Sequence, residues 1–167
     1  MNTTDCCHVN DAKMECEGRA IHLKFETCQI GAAEVIGVLK KEKVLTLATC
    51  ADNRVTIRPM SHINVGLDIY FQTGYDSLKM DQIAANPRVA LCVGDLEIEG
   101  TATTCGHPLA EQNAFFAQAY QEKHPSSFER YSAYEDEIVV RVKIHLVRQW
   151  RYIDGKPLIA ESEFIGA

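Results

Sequence analysis

Arg58, Thr73, Ser77 and Lys79 are the residues of this chain best equipped for chemistry. Two cations and two hydroxyls near strand ends and a helix start are the donor set that holds a phosphate. In Thr73-Gly74-Tyr75-Asp76-Ser77-Leu78-Lys79 a strand-like run ends in a hydroxyl, a helix begins near a second one, and a lysine follows two residues on. A helix start offers N–H groups and partial positive charge, which favour an anion. The same residues admit a plainer reading, in which Asp76 or Ser77 caps the helix and Lys79 points to water. Arg58 also reads two ways. Pro59 lacks an N–H and marks an edge or a disturbed strand, where an arginine can meet a ligand; an exposed arginine on an outer face is the alternative. His62, beside that strand, titrates near neutral pH and could act as an acid toward a ligand, or could sit half in water as an ordinary strand residue. His107, His124 and His145 show no partner pattern.

The elements that must position these residues follow from hydrophobic period. Ala32, Val35, Ile36 and Leu39 recur at helical spacing over 32–43, and the lysines at 40, 41 and 43 suit a helix C-terminus. Val44 to Cys50 is β-branched and apolar, Ala51-Asp52-Asn53 signals a turn, and Arg54 to Val65 reads as one further strand. Gly66-Leu67-Asp68 turns the chain into Ile69–Thr73, so short turns predict an antiparallel meander. Ser77 to Ala85 reads as a helix stopped by Asn86-Pro87, and strands are expected over 89–93 and 97–102. Pro108 to Tyr120 predicts a helix with proline in its first turn, and residues 121–135 a polar connection. A long strand over 137–150, a turn at Asp154-Gly155 and a strand over 158–160 complete the pattern. Six or more antiparallel strands with inserted helices predict an α+β domain, mainly antiparallel β, built as a barrel.

Composition narrows the function. The 167 residues are 46% hydrophobic and 24% charged, as in an ordinary globular protein, and no apolar run is long enough to span a membrane. The formal charge of −6 disfavours nucleic acid as a partner, since phosphate backbones demand surplus lysine and arginine. Residues 1–15 lack the basic start and apolar stretch of a secretory signal, so a cytoplasmic protein is expected. Of the seven cysteines, Cys6, Cys7, Cys16 and Cys28 fall in the first 28 residues, with His8 and His22 among them. Thiolate and imidazole suit zinc or iron, but no paired C-x-x-C spacing is present, so no metal site is assigned. Residues 1–28 read as a cysteine-rich arm packing on a partner subunit, with one strand over Ala20–Phe25; a flexible tail is the alternative. Cys50, Cys92 and Cys105 are expected to pack as small hydrophobes. No nucleophile elbow or dinucleotide-type glycine turn occurs, which removes the common hydrolases and Rossmann dehydrogenases.

Arg58-Pro59-Met60-Ser61, then Ile69-Tyr70-Phe71-Gln72-Thr73, Ser77-Leu78-Lys79, Asn86-Pro87-Arg88-Val89-Ala90 and Glu97-Ile98-Glu99-Gly100-Thr101-Ala102, resemble in order and spacing the pyridoxamine 5′-phosphate oxidase-like family. The resemblance covers about residues 30–155. It implies a six-stranded split β-barrel with peripheral helices, an FMN-binding domain over 29–167, and a homodimer with flavin at the subunit interface. It places Arg58, Pro59, Met60 and Ser61 along the flavin, Gln72 and Thr73 near its ring and ribityl chain, and Ser77 and Lys79 at its phosphate. Trp150 falls where the family offers an aromatic residue to the flavin of the other subunit; as a bare residue it could equally be core or dimer filler. The family's oxidase proper carries an arginine where Leu78 stands and a substrate lysine where Ile63 stands. Its C-terminal Arg-x-His is replaced by Arg151-Tyr152-Ile153. The implied function is therefore an FMN-dependent oxidoreductase acting on a small molecule other than pyridoxamine phosphate. A flavin-binding sensor without turnover, or a barrel holding haem or a deazaflavin, are the alternatives.

Overall fold

A computed structural model of the chain describes residues 14–16, 19–21 and 26–164. The first cysteines, and residues 22–25 of the expected early strand, lie outside them. β1 (Met14–Cys16) and β2 (Arg19–Ile21) pair with each other as a separate antiparallel ribbon. β3 (Glu26–Cys28) leads into α1 (Ala32–Lys41), whose Val35 and Leu39 are buried and whose last turn carries Lys40 and Lys41, favourable at the negative end of the helix dipole. β4 (Val44–Ala51) and β5 (Arg54–Ser61) form a hairpin whose turn residues Asp52 and Asn53 both take positive φ (49° and 60°), the backbone that two-residue hairpins require. β6 (Ile63–Val65) pairs with β7 (Asp68–Gly74) around Gly66, and α2 (Leu78–Ala85) follows.

β8 (Arg88–Val93) and β9 (Leu96–Thr104) make the next hairpin, with alternating burial along both strands. After a 3₁₀ turn over Glu111–Asn113 come α3 (Ala114–Lys123) and α4 (Pro125–Tyr131). β10 (Glu137–Ile153) then turns through Asp154 and Gly155 into β11 (Lys156–Glu163). Among the described residues no helix is long and apolar enough to cross a membrane.

The main sheet has nine strands, in the order β3-β11-β10-β9-β8-β4-β5, with β7 also on β10 and β6 on β7. It is mostly antiparallel; β3 runs parallel to β11. β10 organises it. One edge of β10 carries β9 over residues 140–149, and the other is shared by β7 over 137–142 and β11 over 146–153. A register shift between Ile144 and Leu146 marks the handover. The inward residues of β4, β7, β8, β9 and β10, with α1 and α2, form one core around Leu47, Phe71, Ile98 and Val142. A second, smaller cluster of Tyr70, Phe116, Tyr120 and Val139 seats α3 on the other face of β7 and β10.

Four expectations are corrected. Among the described residues the sheet holds nine strands rather than the six that the resemblance implies, because β3 and the separate β6 add to the seven read over 44–160. The run from Arg54 to Val65 is two strands, since the chain breaks at His62 and leaves β4 to join β7. The helix expected from Pro108 begins at Ala114, because the Asn113 amide holds the carbonyls of Cys105 and His107 (both 2.9 Å) and keeps the preceding segment as a loop. Cys92 is exposed, on the outward phase of β8.

His62 itself is neither half in water nor open to a ligand. It is fully buried, and its Nε2 donates to the Leu39 carbonyl at the end of α1 (3.1 Å), while Nδ1 has no partner. Burial, with Lys123 nearby, pushes its pKa down to about 4. The folded state thus binds fewer protons than the unfolded chain between pH 6.5 and 4, and stability falls as pH drops through that window, by about 3 kcal/mol at most. In thermal melts from pH 7 to pH 4, wild type should lose more stability than His62→Gln. Parallel slopes would assign the acid lability to other groups.

Candidate functional site

β5 ends the sheet, so Pro59 costs no ladder bond there. Along β5 the half-buried residues Thr56, Arg58 and Met60 alternate with exposed Val55, Ile57 and Pro59. Arg58 therefore points inward with Leu47, its register partner on β4. Its Nη1 donates to Thr49 Oγ1 (2.7 Å) and the Leu47 carbonyl (3.3 Å), and its Nη2 to Thr56 Oγ1. Three of its five N–H donors are used, and two remain. Lys79, in the first turn of α2, is half-buried and donates to Thr73 Oγ1 at the end of β7 (2.7 Å).

Burial lowers the Lys79 pKa, and the Arg58 charge lowers it further, which places the two cations in one field. Among the described residues neither forms an ion pair. Ser77 stands at the N-cap of α2 without capping it, and its Oγ is buried with no partner. The plain capping reading fails on that geometry, and Lys79 does not point to water. Two unpaired cations and an unpartnered buried hydroxyl at a helix N-terminus form a site shaped for an anion.

Other expected residues stand apart from this cluster. Thr73 and Gln72 lie on opposite faces of β7, as neighbours in a strand must. Gln72 points toward α4, where its Oε1 accepts from Ser132 Oγ (2.8 Å) and its buried Nε2 is unpartnered. Pro59 faces outward, and Met60 packs against the main core. Ser61 approaches the Tyr120 hydroxyl, which also bonds Ser127 (3.0 Å). Trp150 lies thirteen residues along β10 from Glu137, a separation of roughly 40 Å in extended strand. It is 46% exposed and meets Tyr152 edge-on, ring centroids 6.2 Å apart. The Trp150 of a chain is therefore far from that chain's own Lys79.

Two site residues carry no signal in the sequence. Gln82, on α2, is 3% exposed and binds Thr49, Thr56 and the Arg54 carbonyl. Glu137, buried at the start of β10, has its pKa pushed up to about 7 by burial and by Asp136, against the pull of Lys79. A glutamine amid helical polar residues and a glutamate before a strand both read as solvated; only the fold buries them.

A mostly antiparallel sheet around one core, with an anion-shaped site where β5, β7 and α2 meet, agrees with the split-barrel class. The sequence profile of pyridoxamine 5′-phosphate oxidase matches residues 32–151, and the chain belongs to that family. No curated protein sequence matches it. Among solved structures, it is similar to a Listeria innocua protein named for pyridoxamine 5′-phosphate oxidase, at 18% identity and TM-score 0.57, covering 71% of this chain and 96% of that one. It is similar to an FAD-binding protein from Mesorhizobium loti (19% identity, TM-score 0.59, 71% and 92% covered). It is also similar to the heme storage protein HutZ from Vibrio cholerae (15% identity, TM-score 0.59, 68% and 89% covered). At these identities the likeness is one of fold.

Proposed function

We propose that the protein is a cytoplasmic, homodimeric FMN-dependent oxidoreductase acting on a small molecule other than pyridoxamine phosphate. The observation that carries this reading is the anion-shaped cluster, in which, among the described residues, neither Arg58 nor Lys79 forms an ion pair and Ser77 Oγ has no partner. Arg58, Thr73, Ser77 and Lys79 would hold the phosphate of the flavin. The bound flavin would supply the electron transfer, and the protein would supply placement and electrostatics. The FAD-binding neighbour supports a flavin ligand, while the heme storage neighbour names the rival.

A dimer is supported by the outer face of the sheet. Val55 and Ile57 are 64% and 69% exposed on β5, beside a groove of about 330 Å³ lined by Thr46, Ala48, Ala90 and Cys92. Glu97, Glu99 and Arg148 also line the groove, and apolar surface edged by charge marks an interaction site. The half-exposed Trp150, too distant to serve its own chain's cluster, would then meet the flavin held by a second copy.

The chromophore of the purified protein tests the reading. A yellow protein that releases FMN on denaturation is expected, with FMN lost on dilution below the dimer's dissociation constant. A colourless protein that refuses added FMN, or one with a haem Soret band, overturns it. Full FMN binding by a monomer overturns the shared site.

A further inference from the structure

The hydrogen bonds behind Arg58 run in a single direction. Gln82 Oε1 accepts from Thr49 Oγ1 (2.5 Å) and from Thr56 Oγ1 (2.6 Å), and Gln82 Nε2 donates to the Arg54 carbonyl (2.8 Å). An amide oxygen carries no proton, and a hydroxyl carries one. Each threonine therefore commits its proton to Gln82 and leaves only lone pairs for a further partner. Arg58 has only donors, and it takes those lone pairs with both terminal nitrogens. Gln82 thus fixes the hydroxyl rotors, and the rotors fix the guanidinium.

We propose that Gln82 is a positioning residue that aims Arg58 at the phosphate of the cofactor and keeps its charge free, so that the site selects phosphorylated over unphosphorylated flavin. The inference rests on the phosphate reading of the Arg58–Lys79 cluster. Its chemistry explains why an amide stands here. A glutamate at position 82 would accept the same two protons, but it would set a negative charge behind Arg58 and lose the donor to Arg54. Leucine would leave both threonines free to rotate and to offer Arg58 their protons.

The test is the ratio of FMN to riboflavin affinity, read by flavin fluorescence on the full-length apoprotein, with thermal melts alongside. Wild type should prefer FMN strongly. Gln82→Glu should reduce the ratio at least tenfold while riboflavin affinity stays within about twofold. Thr56→Val, at a half-buried strand position that accepts valine, should reduce the ratio several-fold and keeps the test open if Gln82→Glu does not fold. A ratio unchanged in both variants, or FMN and riboflavin weakened equally, reduces Gln82 to a structural tie and overturns the proposal. Wild type binding riboflavin as tightly as FMN would instead sink the phosphate reading itself, and the inference with it.

Discussion

Replacing Gly100 with alanine will lower the thermal midpoint by roughly 4–8 °C, the shift expected for a loss of about 2 kcal/mol in a chain of this size. A Cβ at Gly100 would lie 2.6 Å from the Lys143 carbonyl oxygen and 2.7 Å from Val142 Cγ1. A flexible side chain could move aside, but the carbonyl belongs to β10, which is fixed by β9 on one edge and by β7 and β11 on the other. Overpacking against fixed backbone costs about 3 kcal/mol, and the reduced freedom of the unfolded chain offsets less than about 1 kcal/mol of that. Gly37 is the matched control, because a Cβ there meets nothing within 4 Å on an exposed turn of α1. Gly37→Ala should leave the midpoint unchanged or raise it. If the two variants melt together, the close approach of β9 and β10 at Gly100 yields more readily than the geometry indicates.

Lys79→Ala will weaken FMN binding by roughly 10- to 100-fold, the loss expected when a charge-assisted hydrogen bond worth about 1.5–3 kcal/mol disappears. Riboflavin binding should hardly change. The apoprotein should keep its stability, because Lys79 is half-buried beside the Arg58 charge and its one direct hydrogen bond is to Thr73. Affinity lost at constant stability separates a ligand-holding lysine from a structural one. Unchanged FMN affinity would show that the phosphate sits elsewhere.

Sequence period revealed much of the sheet because most strands bury one face. The alternation of buried Leu96 and Ile98 with Glu97 and Glu99 on β9 is visible in residue type, whereas Val89–Val93 on β8 is apolar throughout and hides which residues face out. Asp52-Asn53 and Asp154-Gly155 announced their turns because only a few residues tolerate positive φ. What stayed hidden depends on distant partners. The break at His62 follows from its bond to Leu39 and from the pull of β7 on β6. The loop before α3 follows from the Asn113 amide.

The site divides in the same way. Arg58, Thr73, Ser77 and Lys79 stand out by type and spacing near strand ends and a helix start, and the fold bonds Lys79 to Thr73 and sets it in the field of Arg58. The direction of the Gln72 amide, toward Ser132, was not legible because β7 is covered on both faces. Thr49, Thr56 and Gln82 gave no sign because their meeting requires the β4–β5 hairpin to lie against α2.

The place of β10 in the sheet also sets the order in which the chain can acquire its structure. β7 and β9 are both made early, yet each finds a main ladder partner only when residues 137–153 exist. During synthesis the first two-thirds of the domain can form local hairpins and helices, with the edges of β7 and β9 open to stray pairing. Closure waits for contacts far apart in the chain, the circumstance that slows folding most. The cluster of Arg58, Thr73, Ser77 and Lys79, carried on β5, β7 and α2, is thus assembled from early segments and made rigid by a late one.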